Sequence, residues 1–251
     1  MSQLSRQWLI ACCLLAFARA APTSFEDANQ LARSGDHAAA ITAYQTILAQ
    51  NGPSPGLLYN LGNSYLATGD HGRAILAYER ARLLTPRDPD LLTNLALARK
   101  AAKITNPTPA THPLAAALHF LSRREWAGLL VGMAFLLAAC SLGLTLTTRR
   151  LRRLRPWCYA AATVAVLLIA GSAYALHQRR AESRLAVVIG TQGDLRLSPF
   201  AQAEVITHCE PGTLVLLEQQ RDGYHYIQLP DTDIHGWLAA PNLEPIIPRQ
   251  E

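Results

Sequence analysis

Few side chains in this 251-residue sequence have the type and spacing for chemistry. His37 and His71 stand at the same point of two near-identical phrases, Gly35-Asp36-His37 and Gly69-Asp70-His71. A metal ion held between them needs further ligands to complete a tetrahedral set, and the surrounding sequence offers none. Both histidines come just after a turn, where side chains are expected to point to water. His208 and Cys209 are the other candidate pair. As neighbours in an extended segment they point to opposite faces, so they cannot act as base and nucleophile. Cys209 reads as a small buried hydrophobe. No glycine-rich phosphate loop, HExxH helix or GxSxG elbow occurs. The sequence therefore predicts no enzyme, no cofactor and no metal site, and the remaining chemistry is that of binding.

The elements that carry such binding are announced by repetition. Gly35/Gly69, Asp36/Asp70, Ala40/Ala74, Ile41/Ile75, Ala43/Ala77 and Tyr44/Tyr78 all recur at one interval of 34 residues. Within Pro55–Asp88, Leu58, Leu61, Gly62 and Tyr65 share one helical face. Gly69-Asp70 breaks that helix, Ala74, Tyr78 and Ala81 form a second face, and Pro86 ends it. Small residues at Gly62 and Ala74 let two helices approach, and the aromatics fill the wedge between neighbours. These positions resemble the tetratricopeptide repeat, which implies an all-α solenoid. The reading divides residues 21–104 into units 21–54 and 55–88 and a capping helix 89–104, the first unit carrying Ala28, Leu31, Gly35, Ala40, Tyr44 and Ile47.

One helical hairpin cannot bury its own apolar face, whereas stacked hairpins can, and their concave side becomes a groove for peptides or partner proteins. The resemblance places Phe25, Asn29, Tyr59, Asn60, Asn63, Leu66, Thr93, Leu97 and Lys100 on that side. Tetratricopeptide domains that clamp a terminal carboxylate use two asparagines with several cations. Asn29 and Asn60 match the asparagines, but the cation positions hold Phe25, Asp90 and Asn94. A dicarboxylate clamp is not expected.

The formal net charge of +5 suggests nucleic acid only until it is divided along the chain. Residues 21–104 sum to +1 and residues 185–251 to −6, while residues 105–184 carry +8. No candidate soluble part is basic enough to follow a phosphate backbone. Residues 1–20, with Arg6, an apolar run from Trp8 to Ala18 and Ala18-Arg19-Ala20, have the layout of a signal peptide. Trp126–Leu146 and Trp157–Leu176 carry no charge and are each long enough to span a bilayer. The predicted layout is a linker at 105–125, which includes the proline-punctuated Thr105–Pro113, then spans at 126–148 and 157–176. The turn between them, 149–156, holds Arg149, Arg150, Arg152, Arg153 and Arg155. Such a turn stays in the cytoplasm, which places both soluble parts outside. Cys140 and Cys158 then lie in lipid, and no disulfide framework is expected.

After Arg184 the pattern changes to short β-rich runs between Gly, Pro and Asp turns. Leu185–Ile189, Leu195–Pro199, Val205-Ile206, Glu210–Thr213, Val215–Glu218, Tyr224–Leu229 and Gly236–Leu238 resemble, in that order, a bacterial SH3-like domain over 185–247. Trp237 is expected in its core, because one indole buries so much area. Tyr224 and Tyr226 are open between core and a ligand-facing strip.

The fold expected is thus a multidomain membrane protein: a tetratricopeptide solenoid, a two-helix transmembrane hairpin and a small all-β SH3-like barrel. That order resembles the BatE-like membrane proteins of aerotolerance (Bat) operons. The resemblance implies a scaffold in the bacterial inner (cytoplasmic) membrane with both terminal domains on the periplasmic or extracellular side. Its partners would be proteins of the same complex, von Willebrand factor A-type membrane proteins among them, together with the lipid bilayer and no nucleic acid. Recurrence of SH3-like domains on wall hydrolases makes peptidoglycan the alternative ligand.

Overall fold

The structure is a computed structural model that describes residues 24–104, 120–146, 155–178, 181–191, 193–230 and 232–248. The expected signal segment, most of the linker and nearly all of the arginine turn lie outside the described residues.

Among the described residues, five helices come first: α1 (Phe25–Arg33), α2 (His37–Asn51), α3 (Pro55–Ala67), α4 (His71–Leu84) and α5 (Pro89–Ala101). Each start is written in the sequence as a short polar cap. Side-chain oxygens of Ser24, Asp36, Ser54, Asp70 and Asp88 accept from backbone amides of the first turn. Pro55 and Pro89 occupy the first helical position, where no amide donor is needed. Gly35 and Gly69 adopt φ of +85° and +79°, the left-handed conformation that ends α1 and α3. The chain then doubles back, and α1 packs on α2, α3 on α4, with α2–α3 and α4–α5 contacts joining the units.

Tyr44 and Tyr78, the repeated aromatics, are fully buried, as are Ala28, Ala40 and Ala74. Gly62 lies directly under the Tyr78 ring, where an added Cβ would sit 2.5 Å from Cε1. The two helices thus approach closely at this glycine. Pro86 stands half-buried in the turn after α4. One charged group is in the core. Glu79 of α4 is fully buried, with one carboxylate oxygen 2.7 Å from Arg82 and the other paired to Arg99 of α5. Two guanidinium partners satisfy a charge that would otherwise be excluded from such a site.

Two long helices come next, α6 (Arg123–Leu146) and α7 (Arg155–Gln178), packed on each other. Both are long and apolar enough to cross a membrane, by length and composition. Large side chains face outward, with Phe135 at 74% exposure and Trp157 at 75%, while the buried positions of α7 are the small Ala165, Ser172 and Ala175. Ser122 and Glu125 form a reciprocal cap at the start of α6, each side chain accepting the other's amide at 3.2 and 2.7 Å. Glu125 also pairs with Arg87, whose guanidinium lies 5.0 Å from the centre of the Phe120 ring. The helical repeats thus touch the root of the hairpin.

The C-terminal β domain is a seven-stranded antiparallel sheet in the order β3-β2-β6-β5-β4-β1-β7. Its strands are β1 (Leu185–Val188), β2 (Asp194–Arg196), β3 (Val205–His208), β4 (Leu214–Arg221), β5 (Tyr224–Gln228), β6 (His235–Ala239) and β7 (Leu243–Pro245). Asp222 and Gly223, both at positive φ, make the tight β4–β5 hairpin. Ala186, Val188, Leu195, Cys209, Val215, Leu217, Ile227 and Leu238 form its core. Trp237 is not among them. Alternation along β6 turns Gly236 and Leu238 inward, so Trp237 is half-buried on the opposite face. There its ring packs on Tyr226 at 5.2 Å, and Tyr226 stacks on His235 at 6.0 Å. The period of two overrides the tendency of an indole to be interior.

The β domain also packs against the helical repeats. Val187, Leu214 and Ile246 belong to the same apolar cluster as Ile75, Leu76, Ala77 and Tyr78. Arg80 of α4 donates to the carbonyls of Ile246 and Pro245 at 3.0 and 2.8 Å and pairs with Glu244 at 2.9 Å.

Candidate partner-binding surface

The first helices of successive units lie side by side, α1 next to α3 and α3 next to α5. Their asparagines form a ladder. Tyr44 Oη and Asn60 Nδ2 both donate to Asn29 Oδ1 at 2.8 Å. One period later, Tyr78 Oη and Asn94 Nδ2 donate to Asn63 Oδ1 at 2.7 and 2.9 Å, and Asn94 Nδ2 also reaches Tyr59 Oη at 2.9 Å. Each rung ties the second helix of one unit to the first helices of that unit and the next. Burial pushes the Tyr44 and Tyr78 phenols above their ordinary range, with the neighbouring Tyr59 adding to the effect at Tyr78. The neutral, donating phenol is the form the ladder requires.

Asn29, Asn60 and Asn63, read from sequence as groove residues, are structural rungs: Asn29 and Asn63 accept through Oδ1 and Asn60 donates through Nδ2. Sequence reasoning misses Asn94 as a rung, although it lies one repeat period beyond Asn60. Tyr59 is half-buried and packs on Tyr78 at 6.1 Å. Phe25 packs on Tyr44 at 6.1 Å and stays 40% exposed. Leu66 is half-buried, while Lys100 is exposed. Leu97 stands where the ladder would have its third asparagine and is 53% exposed. This face thus offers apolar and amide contact with one cation at its rim. Such a surface suits a polypeptide and has no set of groups for acid–base or nucleophilic work.

The histidines differ from expectation. His37 and His71 are half-buried at the first turn of α2 and α4, and the Nδ1 atom of each is enclosed with no protein partner. That nitrogen is withdrawn from water at the same point of both repeats. His208 is exposed and lies 3.1 Å from Asp194, whereas Cys209 is buried on the other face. Burial pushes the Cys209 thiol up to about 11, which removes it as a nucleophile at neutral pH. A second concavity, about 130 Å³, opens where the repeats meet the β domain. Leu48, Leu58, Leu61 and Leu76 line it beneath Tyr65, Arg73, Arg80 and Glu244. Its charged groups are already paired, Arg73 to Asp70 and Arg80 to Glu244.

Residues 31–100 match the tetratricopeptide repeat family. That span covers the end of α1, all of α2 to α4 and nearly all of α5, so these helical repeats are of the tetratricopeptide type. Such arrays mediate protein–protein interaction. No curated protein and no solved structure matches the chain.

Proposed function

We propose that this protein is a non-enzymatic, membrane-anchored scaffold that holds partner proteins against its tetratricopeptide array outside the cytoplasm. The observation that carries this reading is the first-helix face, where Leu97 and Lys100 remain exposed beside Tyr59 and Leu66 while the polar ladder beneath them is satisfied internally. The spans α6 and α7 anchor the array in the bacterial inner membrane, with the arginine turn inside. The core shared by the repeats and the β domain supports this topology. Two parts that pack together lie on one side, so the chain between them crosses an even number of times. The β domain is SH3-like, and the assembly is an envelope or oxidative stress complex of the Bat type, with von Willebrand factor A-type membrane proteins as partners.

Copurification from native membranes tests the reading. The double variant Leu97→Glu, Lys100→Glu should insert normally and lose its von Willebrand factor A-type partners, because both side chains lie on the open face. Retention of the same partners would remove the array from recognition. A second reading rests on the half-buried Tyr226–Trp237–His235 strip, which suits an SH3-like domain that grips peptidoglycan. It requires that Trp237→Ala abolish cosedimentation of the full chain with purified wall material.

A further inference from the structure

We infer that the open side of α5 is covered by a stretch of the same chain, Leu114–Leu118, which lies in sequence between the array and the first long helix. In the first two units each first helix carries a small residue that is sealed within the repeat. Ala28 is fully buried, and Gly62 lies under the Tyr78 ring of α4. Leu58, one turn before Gly62, is buried as well. One period later stand Leu92 and Ala96, and both are exposed, Leu92 at 42%. The other side of α5 is in order, since Leu91, Leu95 and Ala98 belong to the core of the array. The third unit therefore has a first helix whose seat for a second is open among the described residues.

The points where the chain leaves α5 and returns to it identify the occupant. α5 has 13 residues and is about 20 Å long. The chain leaves its far end at Ile104, whose amide donates to the Arg99 carbonyl at 3.0 Å. It comes back at Phe120, whose ring centre lies 5.0 Å from the guanidinium of Arg87, just before α5 begins. Arg87 also pairs with Glu125 in the first turn of α6, so the returning end is held twice. The segment 105–119 thus joins one end of α5 to the other, as α4 runs back along α3. Its sequence has two parts. Pro107, Pro109 and Pro113 make Thr105–His112 unfit for a helix. Leu114-Ala115-Ala116-Ala117-Leu118 carries no charge and consists of the best helix formers. Pro113 precedes it as Pro55 and Pro89 open α3 and α5. Counted back from Phe120, a helix reaches Leu114 after about 9 Å, and counted from Pro89, α5 reaches Ala96 after about 10 Å. The two stretches stand at the same height. Alanines opposite Ala96 permit the close approach that Gly62 permits one unit earlier, and Leu114 and Leu118 supply the apolar surface that Leu92 lacks. Tethering at both ends gives this segment an effective concentration on the order of millimolar, which a second copy or a foreign helix would have to exceed.

The third helical pair is then completed by the segment that leads into α6, and the Leu92–Ala96 side of α5 is not a second partner surface. This holds whichever partner the concave face binds. A photo-crosslinking residue in place of Leu92, in the full chain in detergent micelles, tests it. The expected adduct is intramolecular and maps to residues 114–118, and a mixture of isotope-labelled and unlabelled chains should give no mixed product. A mixed product, or the absence of any adduct within 114–118, would overturn the inference. The double variant Leu114→Asp, Leu118→Asp should raise hydrogen exchange in α5 by roughly tenfold or more while α1 stays protected. Unchanged protection of α5 in that variant would equally contradict the cover.

Discussion

Replacing Gly62 by alanine pits two known effects against each other. In an open helix the change is favourable by about 1 kcal/mol, because alanine is the better helix former. Here the new Cβ would stand 2.5, 2.7 and 3.0 Å from Cε1, Cδ1 and Cζ of Tyr78. Ordinary carbon–carbon contact begins near about 3.5 Å, so the ring must retreat by about an ångström. It has nowhere to go: Tyr78 is fully buried, its hydroxyl is held by Asn63, and Tyr59 packs beside it. Overpacking of this kind costs roughly 1–3 kcal/mol, and a lost phenol hydrogen bond adds about 1. The net expectation is destabilisation by about 1–3 kcal/mol. Gly56 is the control, since its Cβ would rest 3.8 Å from Phe25 Cζ, an ordinary contact. Gly56→Ala should be neutral or stabilising by up to about 1 kcal/mol. Hydrogen exchange over α3 and α4 of the full chain reads both, a factor of ten corresponding to about 1.4 kcal/mol. Equal or greater protection in Gly62→Ala than in Gly56→Ala would refute the close crossing.

Asn63→Ala strips the acceptor from Tyr78 and Asn94 together and should cost roughly 1–3 kcal/mol by the same exchange measurement, with α5 loosened as well as α4. Glu79→Ala leaves Arg82 and Arg99 without their buried partner and should be worse, at roughly 3–5 kcal/mol; a loss under about 1 would mean the carboxylate is not held as a buried ion pair. The phenols of Tyr44, Tyr65 and Tyr78 are all raised by burial, so their contribution is fully present below the ordinary phenol range and is lost as pH climbs through it. Ultraviolet titration should show these three ionising only with alkaline unfolding, and normal titration before unfolding would contradict their burial. A reporter active only outside the cytoplasm should work after Lys103 and after Glu251 and fail at Leu151, and activity at Leu151 would reverse the topology.

The repeats are legible in the sequence because a solenoid is written locally. Period, caps and turn glycines lie within one helical hairpin, so Gly62 and Tyr78 can be paired by counting. The ladder is half-legible: Asn29 and Asn60 stand out, but Asn94 reads only as a position lacking its cation, when its distance from Asn60 already marks a rung. Size misplaces Trp237, although strict alternation through Gly236 and Leu238 points it outward. The seam between array and β domain has no local signal at all. Ile75 and Ile104, which lie against Gly212 of the β3–β4 turn, are more than a hundred residues from it, and each looks ordinary beside its neighbours. Likewise nothing around Glu79 signals burial, because its partner Arg99 arrives from the next unit.

The central claim is that the open face of the array holds another polypeptide while the chain sits in its membrane. A photo-crosslinking residue placed at Leu97, and separately at the exposed Thr42 on the outer helix α2, tests it in native membranes. The account predicts discrete protein adducts from position 97 and none from position 42. Adducts from position 42 alone, or none from either, would contradict it.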